Sequence, residues 1–231
     1  KSYREKAVPR LPVVVPQLLR SLRNPKTTAT DYANIVQQDP VVASGVLKMV
    51  NSVFYNPGNR VVDSFHRAVV ILGLEGMRFA LSSAVLHPII ECRSADYPKF
   101  GNSLWNHSVN CAVTCQLIAK RRGIDPFTAY LAGLVHDIGS VTLFTQFTQQ
   151  YKLTSSMCAP VSCLVYLMEK EGASLSRAIA QDWNLPEEAQ IALSDLDNGS
   201  DRRSQLGDTL FLANHLCEIH LLASADVISK L

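Results

Sequence analysis

Two ionisable residues stand side by side in an otherwise apolar stretch: His136-Asp137, within Ala132-Gly133-Leu134-Val135-His136-Asp137-Ile138-Gly139. A carboxylate buried without a partner costs several kcal/mol, roughly, so a cation or hydrogen-bond donors must lie beside it. A divalent metal would meet that need, because imidazole and carboxylate are ordinary ligands of zinc, manganese and iron. Donors from the backbone or from a histidine would meet it as well, and the doublet alone does not choose. His107 bears on the choice, because Leu104, Cys111, Cys115 and Ile118 recur around it at helical spacing and put it on an apolar stripe. If its helix and the one carrying His136 form an antiparallel pair, the two imidazoles meet. A histidine that donates to Asp137 without any ion is the alternative outcome.

Helices must position these residues, and helical signals dominate the chain. The β-branched run Val13-Val14-Val15 is bracketed by Pro12 and Pro16, which argues against a central strand. A first helix carrying Leu18, Leu19 and Leu22 stops at Asn24-Pro25. Thr28 and Asp31 form a capping-box pattern that opens a second through Ile35 and Val36. Asp39-Pro40 opens a third, running from Val41 to about Val53 before the turn Asn56-Pro57-Gly58. Asp63 or Ser64 caps a long apolar region, in which Gly73 and Gly76 predict a break. Pro88 and the stretch Cys92 to Pro98 read as a linker, dividing an N-terminal subdomain, 1–98, from a C-terminal one, 99–231.

In the C-terminal half a helix is expected from about Ser103 to Arg122, stopped by Gly123. Asp125-Pro126 caps the next, expected to run through His136-Asp137 and past Gly139. Another covers Val161 to Lys170 and ends at Gly172; Ser174 or Ser176 starts a separate one through Trp183, closed by Asn184 and Pro186. Pro186-Glu187-Glu188 opens the next, and Leu206 to about Leu222 forms the last. The reading is an all-α, two-subdomain helical bundle.

Bulk properties narrow the function classes. The 231 residues are 47% hydrophobic, enough for a sizeable core. A net charge of only +2 provides no field to draw nucleic acid or an anionic membrane, so neither is an expected partner. The short basic clusters Arg20–Arg23 and Lys120-Arg121-Arg122 fall at helix ends, where cations complement the dipole. The six cysteines contain no CxxC pair, which argues against a zinc ribbon and for buried thiols in a reducing compartment. No uninterrupted apolar run approaches the roughly 18 residues of a bilayer span, and no secretory signal pattern opens the sequence. A cytoplasmic protein is the expectation. The chain starts at Lys1 rather than Met, which leaves upstream residues open.

Leu104-Trp105-Asn106-His107-Ser108, followed by the stretch around His136-Asp137, resembles the HD superfamily of metal-dependent phosphohydrolases. Gln38-Asp39-Pro40, Asn51-Ser52-Val53-Phe54-Tyr55, Ala68-Val69-Val70-Ile71-Leu72-Gly73 and Trp183-Asn184-Leu185-Pro186 narrow this to the HDOD family, the HD-related output domain of bacteria, over about residues 11–222. The resemblance implies a metal held by a His, a His-Asp doublet and a distant Asp. His107, His136 and Asp137 match the first three positions, and Asn214 takes the fourth. An amide oxygen can ligate but brings no charge, so the site is short of one anion. Asp208 is the acidic neighbour, six residues away on another side of the helix.

HD-GYP phosphodiesterases, the two-metal relatives, add a lysine, a lone histidine and a His-His pair. Those positions fall here at Ser140, around Gly172 and at Leu196-Asp197, and no GYP-like motif follows. The substitutions at Ser140, Asn214 and Leu196-Asp197 make the expectation a non-catalytic signal-transduction module acting through contacts with other signalling proteins or domains, with a degenerate metal site and no cofactor. Its alternative is a single-metal phosphohydrolase acting on a nucleotide or phosphoester, with Asp137 the candidate catalytic residue and Mn, Fe, Zn or Mg as the ion. A small ligand in the HD pocket is a third expectation.

Overall fold

The computed structural model describes residues 20–22, 24, 26–36, 38, 40–52, 55–58, 61–90, 97–154, 160–197 and 202–224. Every regular element among them is a helix, so the chain is all-α as its capping and periodicity signals imply. It divides into two compact units, the first comprising Arg10–Ile89 and the second taking in Ile90–Leu231.

The first unit contains α1 (Ala29–Val36), α2 (Pro40–Val50) and most of α3 (Phe65–Ile90). The capping box is present: Thr28 N–H donates to Asp31 Oδ2 at 2.8 Å, and Asp31 N–H donates to Thr28 Oγ1 at 3.3 Å. Those bonds from Thr28 hold the Asp31 carboxyl below its usual range. α2 stops at Val50, short of the expected Val53; the next residue, Asn51, turns its amide onto Val62. Its Nδ2 donates to Val62 O at 2.7 Å while its Oδ1 accepts from Val62 N–H at 2.8 Å. α3 kinks at Gly73, whose φ of 67° lies in the left-handed region that other residues avoid. Of the first predicted helix, residues 20–22 are described and Leu22 is buried; Leu18, Leu19 and Asp39 lie outside the described residues.

The second unit is built from α4 (Pro98–Arg122), α5 (Pro126–Val135), α6 (Ile138–Thr154), α7 (Val161–Asp182), α8 (Glu187–Asp197) and α9 (Gln205–Ser224). α4 begins at Pro98, earlier than predicted, because proline fits the first turn where no N–H is needed. It ends at Gly123, in the left-handed conformation, with the Gly123 N–H on Ala119 O. Asp125 caps α5 by accepting from Thr128 N–H at 2.8 Å.

Two helix expectations need correction. The segments predicted on either side of Gly172 are one helix, α7, because this glycine is used for packing rather than termination: it is buried against Ser140. The α5 segment does not run through His136-Asp137; these two residues form the turn between α5 and α6. α7 does end where predicted. Asn184, at φ 50°, closes it with Leu185 N–H on Ala180 O and Asn184 N–H on Gln181 O, the Schellman pattern.

Two stretches have the length and hydropathy of a bilayer span, Phe65–Ile90 and Pro126–Tyr151, correcting the expectation that none comes near it. The second is the inside of its own unit, with 83% of its apolar window buried, which is the composition of a core. The first is interrupted at Gly73 and carries Pro88. Cys111, Cys115 and Cys217 are buried free thiols, whereas Cys163 is exposed, contrary to the reading of the cysteines as buried. A hydrogen bond with Cys115 and burial push the Cys111 thiol well up, which makes it a poor nucleophile.

Candidate metal centre

Three helices meet at the chemistry. α4 and α5 are the most extensively paired of the second unit, and α9 packs on both. The α4–α5 crossing is tight at Gly133, where an added Cβ would lie 2.7 Å from Ala112 Cα and 2.9 Å from Cys111 O. Only glycine lets the two backbones come so close, and the closeness places His136, one turn on, beside His107.

The end of α5 then sets the His136 ring. A helix leaves its last carbonyls without intrahelical partners, and His136 Nδ1–H donates to one of them, Gly133 O, at 2.8 Å. With its proton on Nδ1, neutral His136 presents a bare Nε2. Asp137 is the next residue, and its carbonyl accepts from Val141 N–H at the start of α6. Its carboxylate therefore sits at a helix N-terminus, which favours negative charge.

Four ligand-type atoms converge. His107 Nε2 and His136 Nε2 are 3.2 Å apart, and each lies 3.0 Å from Asn214 Oδ1. Asp137 Oδ2 is 3.3 Å from His136 Nε2 and 3.5 Å from His107 Nε2. The structure thus brings together all four residues singled out in the sequence. Asp208 is exposed and takes no part. Neither His215, exposed and bonded to Phe211 O, nor His220, also exposed, joins the cluster.

This arrangement fits a metal ion. Two ligands about 2.0–2.1 Å from one ion are about 3.0 Å apart at a right angle and about 3.3 Å apart at the tetrahedral angle. The observed separations of 3.0–3.5 Å span that range. Among the described residues, His107, His136 and Asp137 are the His/Cys/Asp/Glu group with metal-ligand proximity. Without an ion the cluster is short of protons. Asp137 Oδ2 and Asn214 Oδ1 only accept, neutral His136 Nε2 only accepts, and His107 Nε2 supplies one proton at most. A positive charge completes it, either a metal or a second proton.

The electrostatics show where that proton goes. Burial opposes charge on His136, but the adjacent Asp137 carboxylate overrides it and raises the imidazole well above its usual pKa. Burial works against the Asp137 charge too, and His136 wins again, holding the carboxyl below its usual range. His107 goes the other way: burial and the neighbouring His136 lower it, so its ring stays neutral. In metal-free protein the attraction between His136 and Asp137 favours the imidazolium–carboxylate pair, while burial and His136 favour a neutral His107.

A raised pKa contributes stability that is complete below the unfolded value, about 6.5 for histidine, and is lost as pH rises through the folded value. The unfolding free-energy difference between metal-free wild type and His136→Asn is therefore expected to shrink as pH rises above about 6.5. Urea titrations at a series of pH values check this; a difference that is flat or grows in that window contradicts the charge assignment.

Glu218 was not visible as a site residue in the sequence. It lies one helical turn after Asn214, and its Oε1 accepts from Asn214 Nδ2 at 2.9 Å. The i,i+4 spacing of an amide and a carboxylate on one helix was the available signal.

The neighbouring crossing of α6 and α7 is closed. Gly139 N–H donates to Ser176 Oγ at 2.9 Å. A Cβ on Gly139 would strike Gly172 O, and one on Gly172 would strike Ser140 Oγ. Ser140 and Gly172, the positions matching the lysine and the lone histidine of two-metal relatives, thus touch each other.

Residues 8–195 match the model of the HDOD domain. The chain belongs to the HDOD family. It is similar to an uncharacterised protein of Treponema pallidum (strain Nichols), 29% identical over 187 residues that make up 78% of this chain and 36% of that protein. The chain therefore spans about a third of that relative. Three solved structures share the fold. An HDOD domain protein of unknown function from Geobacter sulfurreducens aligns with a TM-score of 0.70 at 23% identity, covering 93% of this chain and 74% of the other. A Shewanella amazonensis SB2B protein named as a candidate phosphohydrolase aligns with a TM-score of 0.71 at 24% identity, covering 93% and 79%. A Marinobacter aquaeolei VT8 protein named as a candidate signal transduction protein aligns with a TM-score of 0.67 at 23% identity, covering 98% and 52%. At these identities the likeness is one of fold.

Proposed function

We propose that this HDOD chain is a cytoplasmic signal-transduction module that binds one divalent metal ion through His107, His136, Asp137 and Asn214. It works through contacts with other signalling proteins rather than by phosphodiester hydrolysis. The observation that carries the metal reading is that His107 Nε2 and His136 Nε2 lie 3.0–3.5 Å from each other and from both Asn214 Oδ1 and Asp137 Oδ2, in a set short of protons. The packed Gly139–Gly172–Ser140 crossing supports a single ion, because it fills the positions where two-metal relatives carry further ligands. The names given to proteins of the same fold, one for signal transduction and one for phosphohydrolase chemistry, are compatible with the regulatory reading and with its competitor.

That competitor is a single-metal phosphohydrolase, favoured by one observation: the Asp137 side chain is 32% exposed, so the cluster is open on that side. A bound ion would there polarise a phosphate and acidify water. Both readings are tested on purified protein incubated separately with Mn, Fe, Zn and Mg. The expected result is about one ion per chain, from mass spectrometric metal analysis, and no metal-dependent turnover of cyclic dinucleotides or nucleoside phosphates. Reproducible turnover that disappears in Asp137→Ala overturns the regulatory reading in favour of the enzyme. Protein that takes up no ion overturns the metal site.

A further inference from the structure

We infer that Glu218 is a positioning residue for the metal site, fixing the Asn214 amide with its oxygen inward and restoring the charge that an asparagine ligand lacks. The inference rests on the metal-binding reading above and goes beyond it to a residue outside the ligand set. It also lies outside the family match, which ends at residue 195, before α9 begins.

The two ends of a side-chain amide are nearly equal in shape and opposite in chemistry. Turned one way, Asn214 offers an acceptor to an ion; turned the other, it offers two N–H donors that repel it. The His107–His136–Asp137 cluster favours the first choice only while an imidazole carries a proton on Nε2; Asp137 Oδ2 and a bare Nε2 would also welcome N–H groups. Glu218 enforces that choice. An ionised carboxylate only accepts, so its 2.9 Å bond to Nδ2 is available in one amide orientation alone. That orientation is the one that puts Oδ1 3.0 Å from both imidazoles. The residues are one helical turn apart on α9 and share a face, so the bond requires no distortion of the helix.

Glu218 is itself exposed, and its bond to Asn214 makes little sense as a contribution to the core. Its electrostatic reach makes better sense. The four ligands carry a single formal anion, Asp137, against a dication. Glu218 adds a second negative charge one bond removed from the ion, and that charge is felt at His107. Groups in this outer position orient a ligand and tune its donor strength, and their loss typically weakens metal binding about 10–100-fold.

The test uses the whole chain and Mn²⁺ as probe, with binding followed by calorimetry and electron paramagnetic resonance. Glu218→Ala is expected to weaken Mn²⁺ binding by about 10–100-fold with an unchanged thermal midpoint before metal is added. Glu218→Gln, which can still accept from Nδ2 but lacks the charge, is expected to fall between. Asn214→Asp supplies the missing anion and has no amide to orient, so Glu218→Ala should weaken Mn²⁺ binding less in that background than in wild type. A Glu218 that acts apart from Asn214 predicts equal losses in the two backgrounds. In metal-free protein the Asn214 side-chain amide resonances should shift in Glu218→Ala and stay near their wild-type positions in Glu218→Gln. Wild type and Glu218→Ala binding Mn²⁺ equally overturns this inference and leaves the metal reading intact. Wild type binding no Mn²⁺, Zn²⁺ or Fe²⁺ overturns both.

Discussion

Gly139→Ala is expected to cost about 3 kcal/mol or more of stability, the upper end of what overpacking a core does. The new methyl group would sit against Gly172 O and 2.5 Å from Ser176 N, both backbone atoms of α7. A flexible side chain could swing aside from such a clash; a helix backbone must move as a body. The shift also breaks the bond from Gly139 N–H to Ser176 Oγ. Because Asp137 leads directly into α6, displacement of that helix carries the carboxylate away from the two imidazoles, and metal affinity should fall along with stability. Gly172→Ala provides the contrast. Its methyl group meets Ser140 Oγ, which can rotate, so the cost should be about 1 kcal/mol. Urea unfolding of the two variants decides the matter: equal costs, or a larger one for Gly172→Ala, would contradict the backbone-to-backbone crossing.

Asp137→Ala is expected to reduce divalent-metal affinity by at least about 100-fold, more than the loss of an outer partner costs, because it deletes the sole formally charged ligand. A second consequence is independent of any metal. Burial lowers His136, and Asp137, ahead of Cys111, raises it, so removing the carboxylate lets burial pull the imidazole down. NMR titration of the His136 ring should show its midpoint falling. Asp137→Asn separates charge from shape: it keeps an oxygen in place and should lower His136 in the same direction. Metal binding by Asp137→Ala indistinguishable from wild type would rule out the site as assigned. An unmoved His136 midpoint would rule out the ion pair.

The two predictions draw on features of different legibility. His107 could be placed on a buried stripe because Cys111 and Cys115 recur at helical spacing, and both are fully buried. The capping box at Thr28 and Asp31, the stop at Gly123 and the Asn184 closure were legible for the same reason: each is a local bargain between one side chain and nearby backbone. Gly172 was misread by that logic. Glycine ends a helix or admits a neighbour, and the choice depends on whether another backbone arrives, here that of α6. The His136-Asp137 turn was misread likewise, since its apolar flanks read as one continuous helix. Glu218 was missed because an exposed glutamate on a helix is ordinary until Asn214 is known to face inward.

By itself the sequence determined the helical class and many helix ends, because these follow from period and caps within a few positions along the chain; residue chemistry singled out His107, His136 and Asp137, and the resemblance to the HD superfamily added Asn214. The tertiary structure decided the rest. That His107, His136, Asp137 and Asn214 present their ligand atoms to one point depends on how close α4, α5 and α9 come, and closeness is set by contacts such as Gly133 on Ala112. That the α6–α7 crossing is closed, and that one carboxylate on α9 aims an amide, are likewise matters of distance between elements.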